Sequence, residues 1–122
     1  MKRILVIDDD TQIREMLREI LEREGYQVED AKNGREASAI HRNKPTDLVI
    51  TDLIMPEQDG IETIMEFIEK YPTIKIIAIS GGGRIGSHDY LEMAQALGAA
   101  KTFRKPFKRA EIVQAVSELI GS

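Results

Sequence analysis

The hydrophobic residues change their spacing repeatedly along the chain, from short continuous runs to stripes with the period of a helix and back again. Short runs rich in Ile, Leu and Val are typical of strands that are buried on both faces of a sheet, whereas stripes spaced by three and four residues are typical of amphipathic helices. The runs predict five strands, at residues 3–7, 26–31, 47–51, 74–80 and 100–105.

The stripes between these runs predict five helices. The first has apolar residues at i, i+3, i+4, i+7 and i+8 and ends before Gly25, and its stripe is Ile13, Met16, Leu17, Ile20 and Leu21. The second, over about residues 34–43, has a weaker stripe. The stripe of the third helix is Ile61, Ile64, Met65 and Ile68. The stripe of the fifth helix is Ile112, Val113, Val116, Leu119 and Ile120. The fourth begins with Ser87 as its cap and ends at Gly98.

Strands that alternate with helices predict an α/β fold, a doubly wound five-stranded parallel sheet of the flavodoxin-like type with about five helices on its two faces. A chain of 122 residues is long enough for one domain with a real core, and we expect a single domain over residues 1–122 with no output domain. Ligands of such sheets bind outside the carboxyl ends of the strands, so the residues there are the candidates for chemistry.

Composition narrows the class of partner. The chain has no cysteine, which excludes disulfides, thiolate metal sites and a cysteine nucleophile. Its 17 basic and 21 acidic residues give a net charge of −4, which argues against a general affinity for nucleic acid or for an anionic membrane. The first residues hold too short an apolar run for a secretory signal or a membrane span. We expect a cytoplasmic protein whose partners are proteins or small anions.

The predicted strand ends carry acids, a hydroxyl and an ammonium group, and these residues are Asp8, Asp9, Asp10, Asp52, Ser80 and Lys105. If the first and third strands are neighbours, several carboxylates share one pocket, which raises their pKa values unless a cation lies among them. Mg²⁺ prefers oxygen ligands and is commonly held by one or two carboxylates with a phosphate group. For residues 8–10 alone, the simpler alternative is a solvated turn that caps the first helix.

A carboxylate, a divalent cation, a lysine and a hydroxyl are together the groups needed to transfer a phosphoryl group to an aspartate. The four stretches that contain them are "VIDDD" at 6–10, "DLVITDLIMPEQDG" at 47–60, "IIAIS" at 76–80 and "FRKPF" at 103–107. In this order and at these distances they resemble the receiver domains of two-component response regulators, and the resemblance covers the whole chain.

The resemblance implies a role for each matching residue. Asp52 corresponds to the phosphoacceptor, and Asp8 and Asp9 correspond to the acid pair that binds Mg²⁺ together with Asp52 and the main-chain carbonyl of Ile54. Lys105 and Ser80 are similar to the lysine and hydroxyl that sense the phosphoryl group.

Two further expectations follow from the resemblance. Phe103 is taken as the aromatic switch residue, which turns into space that Ser80 vacates when the hydroxyl is drawn toward a phosphoryl group. The peptide bond between Lys105 and Pro106 is expected to be cis.

The function that the resemblance implies is a phosphorylation-dependent signalling switch rather than an enzyme, with only self-directed phosphotransfer and dephosphorylation. The phosphoryl group would come from a sensor histidine kinase or a histidine phosphotransfer protein. A downstream protein would bind the face that changes, formed by the fourth helix, the fifth strand and the fifth helix. No membrane or direct nucleic-acid contact is implied.

Two segments depart from the common pattern of the family. The stretch "SGGGRIGSH" is about three residues longer than is typical, and its glycines predict a flexible loop at 81–86 before the fourth helix. Ile54 stands where the family often has a polar or acidic side chain, so we expect slow self-dephosphorylation.

Other interpretations compete with this one. A Mg²⁺-dependent phosphohydrolase of the haloacid dehalogenase type would use Asp8 as nucleophile and Asp10 as general acid, but Gln12 stands where that family has Thr or Val. A flavodoxin-like docking module without chemistry is a third interpretation, which the acids after the first strand disfavour. His41 and His88 stand alone and are expected at the surface.

Overall fold

The protein forms a five-stranded parallel sheet, which a computed structural model describes over residues 2–54, 60–81 and 87–121. The strands are β1 (Arg3–Ile7), β2 (Gln27–Ala31), β3 (Leu48–Asp52), β4 (Lys75–Ser80) and β5 (Lys101–Arg104). The helices are α1 (Thr11–Arg23), α2 (Gly34–Asn43), α3 (Gly60–Lys70), α4 (Ser87–Leu97) and α5 (Arg109–Ile120). The predicted fold class is confirmed, and each predicted strand and helix lies where the apolar pattern indicated.

The strand order is β2-β1-β3-β4-β5, so β1 and β3 are neighbours at the centre of the sheet. The order reverses at this pair, because the chain first builds outward from β1 to β2 and then crosses to β3 on the other side. A doubly wound sheet binds its ligands at such a reversal. The carboxyl ends of β1 and β3 are therefore the part of the molecule where a site is expected.

Alternating side chains along the strands separate the core into two layers. One layer packs against α2, α3 and α4 and includes Leu5, Val49, Ile64, Ile76, Ala78 and Ala94. The other packs against α1 and α5 and includes Val6, Leu17, Ile50, Ile77, Ile79 and Ile112. Strands buried on both faces explain why the sequence showed nearly continuous apolar runs there.

The first helix begins directly beside the acidic residues. Asp10 is its N-cap, and the Oδ1 atom of Asp10 accepts a hydrogen bond of 2.9 Å from the amide of Gln12. This bond satisfies one of the amide groups that the first turn of a helix leaves without a partner. The capping role that the sequence allowed for residues 8–10 therefore belongs to Asp10.

Three residues lie in surroundings that the sequence pattern did not predict. Met16 and Met65 belong to predicted core stripes, but their side chains are exposed, because each lies at the margin of its stripe. His41 was expected at the surface and is instead buried, with 3% of its surface exposed. It lies on the same face of α2 as Ala37, and its ring contacts Phe67 and Tyr71. The side chain of His88 lies outside the described residues.

Among the helices of the described residues, none combines the length and the apolar character that crossing a membrane requires.

Candidate metal centre

Three carboxylates converge at the carboxyl ends of the two central strands. Asp8 and Asp9 directly follow β1, and Asp52 is the last residue of β3. One carboxylate oxygen from each of the three residues lies within 4.8 Å of the other two. Asp8 and Asp52 are buried, whereas Asp9 is exposed. The fold thus brings together acids that are more than forty positions apart in the sequence, as is expected when β1 and β3 are neighbours.

The ammonium group of Lys105 reaches this cluster from the loop after β5. Its Nζ atom lies 3.0 Å from Oδ2 of Asp8 and 3.4 Å from Oδ1 of Asp52. The amide nitrogen of Lys105 donates a 2.8 Å hydrogen bond to the carbonyl of Ser80, which fixes the loop to the end of β4. The Lys105–Pro106 peptide bond is cis. Lys105 therefore bridges the two buried carboxylates and compensates part of their charge.

Burial and mutual repulsion change the protonation of the cluster. The pKa of Asp52 is raised to about 6, mainly by loss of solvation and then by the charge of Asp8, while Lys105 opposes both effects. Burial also raises the pKa of Asp8, against the hydrogen bond from Asp10 and the charge of Lys105. For Lys105, burial lowers the pKa, but the charges of Asp52 and Asp8 outweigh it and the net shift is upward. Part of the negative charge of the cluster is therefore left without solvation.

The donor set of this cluster fits Mg²⁺. All three side chains offer carboxylate oxygens, which are the ligands that a hard divalent cation prefers. Within the described part of the chain, the buried Oδ1 atom of Asp52 accepts no hydrogen bond, although Lys105 lies within ion-pair distance. A buried carboxylate oxygen without a hydrogen bond is costly unless a cation completes its surroundings. Asp8, Asp9 and Asp52 are therefore suited to hold the ion.

Ser80 contributes a second buried polar atom without a partner. It is the last residue of β4, none of its surface is exposed, and its Oγ atom makes no hydrogen bond to any described residue. A buried hydroxyl usually has a partner, because losing its hydrogen bonds to water costs free energy. The hydroxyl is thus available to a group that arrives at this end of the sheet.

The predicted switch role of Phe103 does not fit its position. Phe103 pairs with Ile79 and packs in the layer of α1 and α5. Ser80 is one residue further along β4, so it follows the alternation of Ala78, which packs in the layer of α2, α3 and α4. Phe103 therefore cannot enter space that Ser80 vacates, because the sheet lies between them. The residue of β5 that pairs with Ala78 and shares its face is Thr102.

Two loops near the cluster lie partly outside the described residues. Residues 55–59, which contain most of the "MPEQDG" motif, and residues 82–86, which contain most of the predicted flexible loop, are outside them. Ile54 is described, and 38% of its surface is exposed. Gly60 begins α3 directly against β3, where an added Cβ atom would overlap the main-chain carbonyl of Asp52. A glycine at this position lets the helix start beside the site.

Arg14 is a residue of the site that the sequence analysis missed. Its Nη1 atom donates a 2.7 Å hydrogen bond to the main-chain carbonyl of Asp8. Its place in the sequence gave a weak signal, since a charged residue follows Ile13 six positions after Asp8 on a predicted helix. The pattern alone did not show that the guanidinium turns back toward the start of the helix.

Comparison with known proteins identifies the family. The family model for the response regulator receiver domain matches residues 4–117. The chain belongs to this family. Receiver domains of two-component systems are phosphorylation-dependent signalling switches, and they bind Mg²⁺ at a cluster of acidic residues like the one described above.

Relatives of similar length share about a third of their residues with this receiver domain. It is 34% identical to the chemotaxis protein CheY of Halobacterium salinarum over 98% of this chain and 97% of that protein. It is also 34% identical to sporulation initiation phosphotransferase F of Bacillus subtilis, over 98% and 94% of the two chains. A receiver domain crystal structure from Clostridium thermocellum matches with a TM-score of 0.90 and 30% identity, over 98% and 94% of the two chains.

The phosphohydrolase alternative is not favoured by these findings. That mechanism needs the side chain of Asp10 free to act as a general acid, whereas here it caps α1 and bonds to the amide of Gln12. The family match and the cluster around Asp52 both agree with the receiver interpretation.

Proposed function

We propose that Asp52 of this chain accepts a phosphoryl group from a histidine kinase or a histidine phosphotransfer protein. The observation that carries the proposal is the bridge made by Lys105, whose ammonium nitrogen lies 3.4 Å from Asp52 and 3.0 Å from Asp8. A cation in this place can contact an oxygen of a phosphoryl group on Asp52. The charge of the incoming group would otherwise be repelled by the carboxylates.

The side chains of Asp8, Asp9 and Asp52, with the main-chain carbonyl of Ile54, are proposed to hold one Mg²⁺ ion. When bound, the ion neutralises charge shared between the carboxylates and the phosphoryl oxygens. The support from this structure is the convergence of three carboxylate oxygens within 4.8 Å, two of them from buried residues.

In the proposed step, a carboxylate oxygen of Asp52 forms a bond to phosphorus in line with the bond that breaks. The bond that breaks joins phosphorus to an imidazole nitrogen of the donor. That nitrogen keeps the electron pair, and the ring takes up one proton from water, so that it leaves as neutral imidazole. Lys105 stays protonated throughout, as its raised pKa favours. Attack of water on the acyl phosphate later returns phosphate and the free carboxylate, which is the self-directed dephosphorylation of the switch.

The conformational response is proposed to begin at Ser80. A hydrogen bond from a hydroxyl to a charged phosphoryl oxygen is stronger than one between neutral groups, so the Oγ atom without a partner gains most by moving toward Asp52. Thr102 lies on the same face of the sheet as Ser80 and is the neighbour that would respond. The face around α4 and β5 would then change its fit to a downstream protein.

Mass spectrometry after incubation with acetyl phosphate and Mg²⁺ tests the proposal. We expect one phosphoryl group on the wild-type protein, none on Asp52→Asn, and none when EDTA replaces Mg²⁺. Labelling of Asp52→Asn at the wild-type rate would overturn the proposal.

A matched variant separates this mechanism from the phosphohydrolase. Asparagine caps helices as well as aspartate does, so Asp10→Asn keeps the start of α1. The receiver mechanism predicts that Asp10→Asn is labelled like the wild type, whereas the phosphohydrolase would lose its general acid. If Asp10→Asn lost phosphatase turnover and Asp8 were the labelled residue, the result would favour the phosphohydrolase.

A further inference from the structure

Arg14 links the metal centre to the outer strand β2. The guanidinium lies on α1, and only 16% of the side chain is exposed. Besides the 2.7 Å hydrogen bond from Nη1 to the carbonyl of Asp8, Nη2 lies 3.3 Å from Oγ1 of Thr11. The Nε atom lies 3.7 Å from Oδ2 of Asp30 on β2. One planar group thus holds three partners that come from β2, from the start of α1 and from the loop between β1 and α1.

These contacts act on the main chain of Asp8. The amide of Asp8 donates to the carbonyl of Ala31 at 3.1 Å, which continues the pairing of β1 with β2. The side chain accepts a 2.9 Å hydrogen bond from the amide of Asp10. The carbonyl of Asp8 belongs to the peptide group that leads into Asp9, and Arg14 is the partner of that carbonyl. Without Arg14, this part-buried oxygen loses its bond and the peptide group loses its fixed orientation.

The charge of Arg14 is largely neutralised on the side away from the cluster. Asp30 lies between Arg14 and Arg18, whose Nη2 atom is 3.4 Å from Oδ1 of the same carboxylate. Arg18 donates to the carbonyl of Val28 at 2.7 Å, and within the described residues it makes no hydrogen bond or ion pair with Asp8 or Asp9. The two arginines therefore share one counterion, but only Arg14 contacts Asp8.

We propose that Arg14 is a positioning residue of the metal centre. Held by Asp30, it fixes the peptide group between Asp8 and Asp9 so that the carboxylates on both sides of that group face the same cation. The inference rests on the proposed Mg²⁺ site, and it adds residues of α1 and β2 that do not touch the ion. Outer partners that orient metal ligands commonly change affinity by about 10- to 100-fold when they are removed.

The sign of the effect distinguishes positioning from simple electrostatics. Arg14→Gln removes a positive charge near an acidic site, and by charge alone it would tighten Mg²⁺ binding. Loss of positioning would instead weaken it. We expect calorimetric titration with Mg²⁺ to give a dissociation constant about tenfold larger for Arg14→Gln than for the wild type. Arg14→Lys keeps the charge but not the planar fork, and we expect it to bind more weakly than the wild type as well.

Arg18→Gln is the matched control, because it removes the same charge from the same helix and a contact with the same Asp30. We expect its Mg²⁺ affinity to equal or slightly exceed that of the wild type. Thermal unfolding of each variant in EDTA, followed by circular dichroism, shows whether the variants are folded and equally stable under the conditions of the titration.

Equal or tighter Mg²⁺ binding by both Arg14 variants would overturn the inference. Weakening by the same factor in Arg18→Gln would overturn it too, because the effect would then be general to the helix. If Arg14→Gln does not fold, Arg14→Lys decides the question alone. Absence of Mg²⁺ binding by the wild type is a different result, since it would contradict the proposed metal site itself.

Discussion

The ammonium nitrogen of Lys105 lies 3.0 Å from Oδ2 of Asp8, although 97 positions separate the two residues in the sequence. The fold brings them together because the loop after β5 is held to the end of β4, next to the central strands. Lys105 occupies the region toward which a metal ion and a phosphoryl group are also attracted. Its removal should therefore affect stability and Mg²⁺ binding in opposite directions.

Replacement of Lys105 by Met is expected to destabilise the protein in EDTA by roughly 2–3 kcal/mol, because two buried carboxylates lose their compensating charge. Mg²⁺ should bind more tightly to the variant and raise its unfolding temperature more than it raises that of the wild type. Thermal unfolding with and without Mg²⁺ measures both effects. Lys101→Met is the control, since Lys101 pairs with exposed Glu118 away from the site. A smaller Mg²⁺ effect in Lys105→Met than in the wild type would contradict the expectation.

Phe103→Ala is expected to lower stability without abolishing the response to phosphorylation. The side chain is partly buried against the layer of α1 and α5, so its truncation should cost about 1–2 kcal/mol.

Ser80→Ala is expected to leave the phosphorylation of Asp52 intact and to abolish the response of α4. Chemical denaturation gives the stabilities, and amide shifts of α4 before and after addition of acetyl phosphate give the response. A normal response in Ser80→Ala would show that the hydroxyl does not start the change.

Ile54→Asn is expected to shorten the lifetime of the phosphorylated protein. Ile54 lies two positions after Asp52, and an apolar side chain there cannot hold an attacking water, whereas an amide can. The measurement is release of inorganic phosphate after the phosphodonor is removed. Ile54→Val keeps the apolar character and should match the wild type. Equal lifetimes for the Asn variant and the wild type would show that this position does not control hydrolysis here.

His41 is expected to make stability depend on pH. Its Nδ1 atom accepts a 3.1 Å hydrogen bond from the amide of Thr46 and lies 2.9 Å from Oγ1 of that residue, and its ring contacts Tyr71 at 4.3 Å between centroids. Burial lowers the pKa of His41 in the folded state. The unfolded chain therefore binds the proton more readily, so this contribution to stability is present above the ordinary histidine pKa of about 6.5 and is lost as the pH falls below it.

His41→Gln offers an amide oxygen to the same partner but does not titrate. The free energy of unfolding of the wild type minus that of this variant should fall between pH 7.5 and pH 5. Taking the difference removes the contributions of the carboxylates, which are common to both proteins. A difference that is constant with pH would contradict the buried, neutral state of His41.

The apolar pattern was sufficient to predict the fold class, because the buried strands of a doubly wound sheet are continuous apolar runs and its helices are stripes with the helical period. The "DLVIT" and "IKIIAIS" runs became the interior strands β3 and β4, and the stripe from Ile13 to Leu21 became α1. The convergence of Asp8 and Asp52 was expected on the condition that β1 and β3 are neighbours, and the strand order meets that condition. The positions of the elements depend on the local hydrophobic period, which one sequence contains, whereas the strand order came from the structure.

Contacts that depend on register or on side-chain direction were not predictable in this way. The alignment of Phe103 with Ile79 is set by how β5 slides along β4, and a shift of one residue exchanges the two faces. The burial of His41 had a signal, because it lies four positions after Ala37 on α2, but a lone histidine does not reveal that Thr46 satisfies it. The contact of Arg14 with Asp8 required the three-dimensional path of a long side chain.

The position of Ser80 on β4 decides which side of the molecule can report the state of Asp52. The side chain of Ser80 lies on the same face of β4 as that of Ala78. We therefore expect a movement of Ser80 to affect the layer that contains α3 and α4. The opposite layer, with α1 and α5, lies across the sheet from the Ser80 side chain. A protein bound across α1 and α5 would meet the same surface before and after modification, whereas one bound at α4 would discriminate. We therefore expect a protein that distinguishes the two phosphorylation states of Asp52 to bind on the side of the sheet that carries α4.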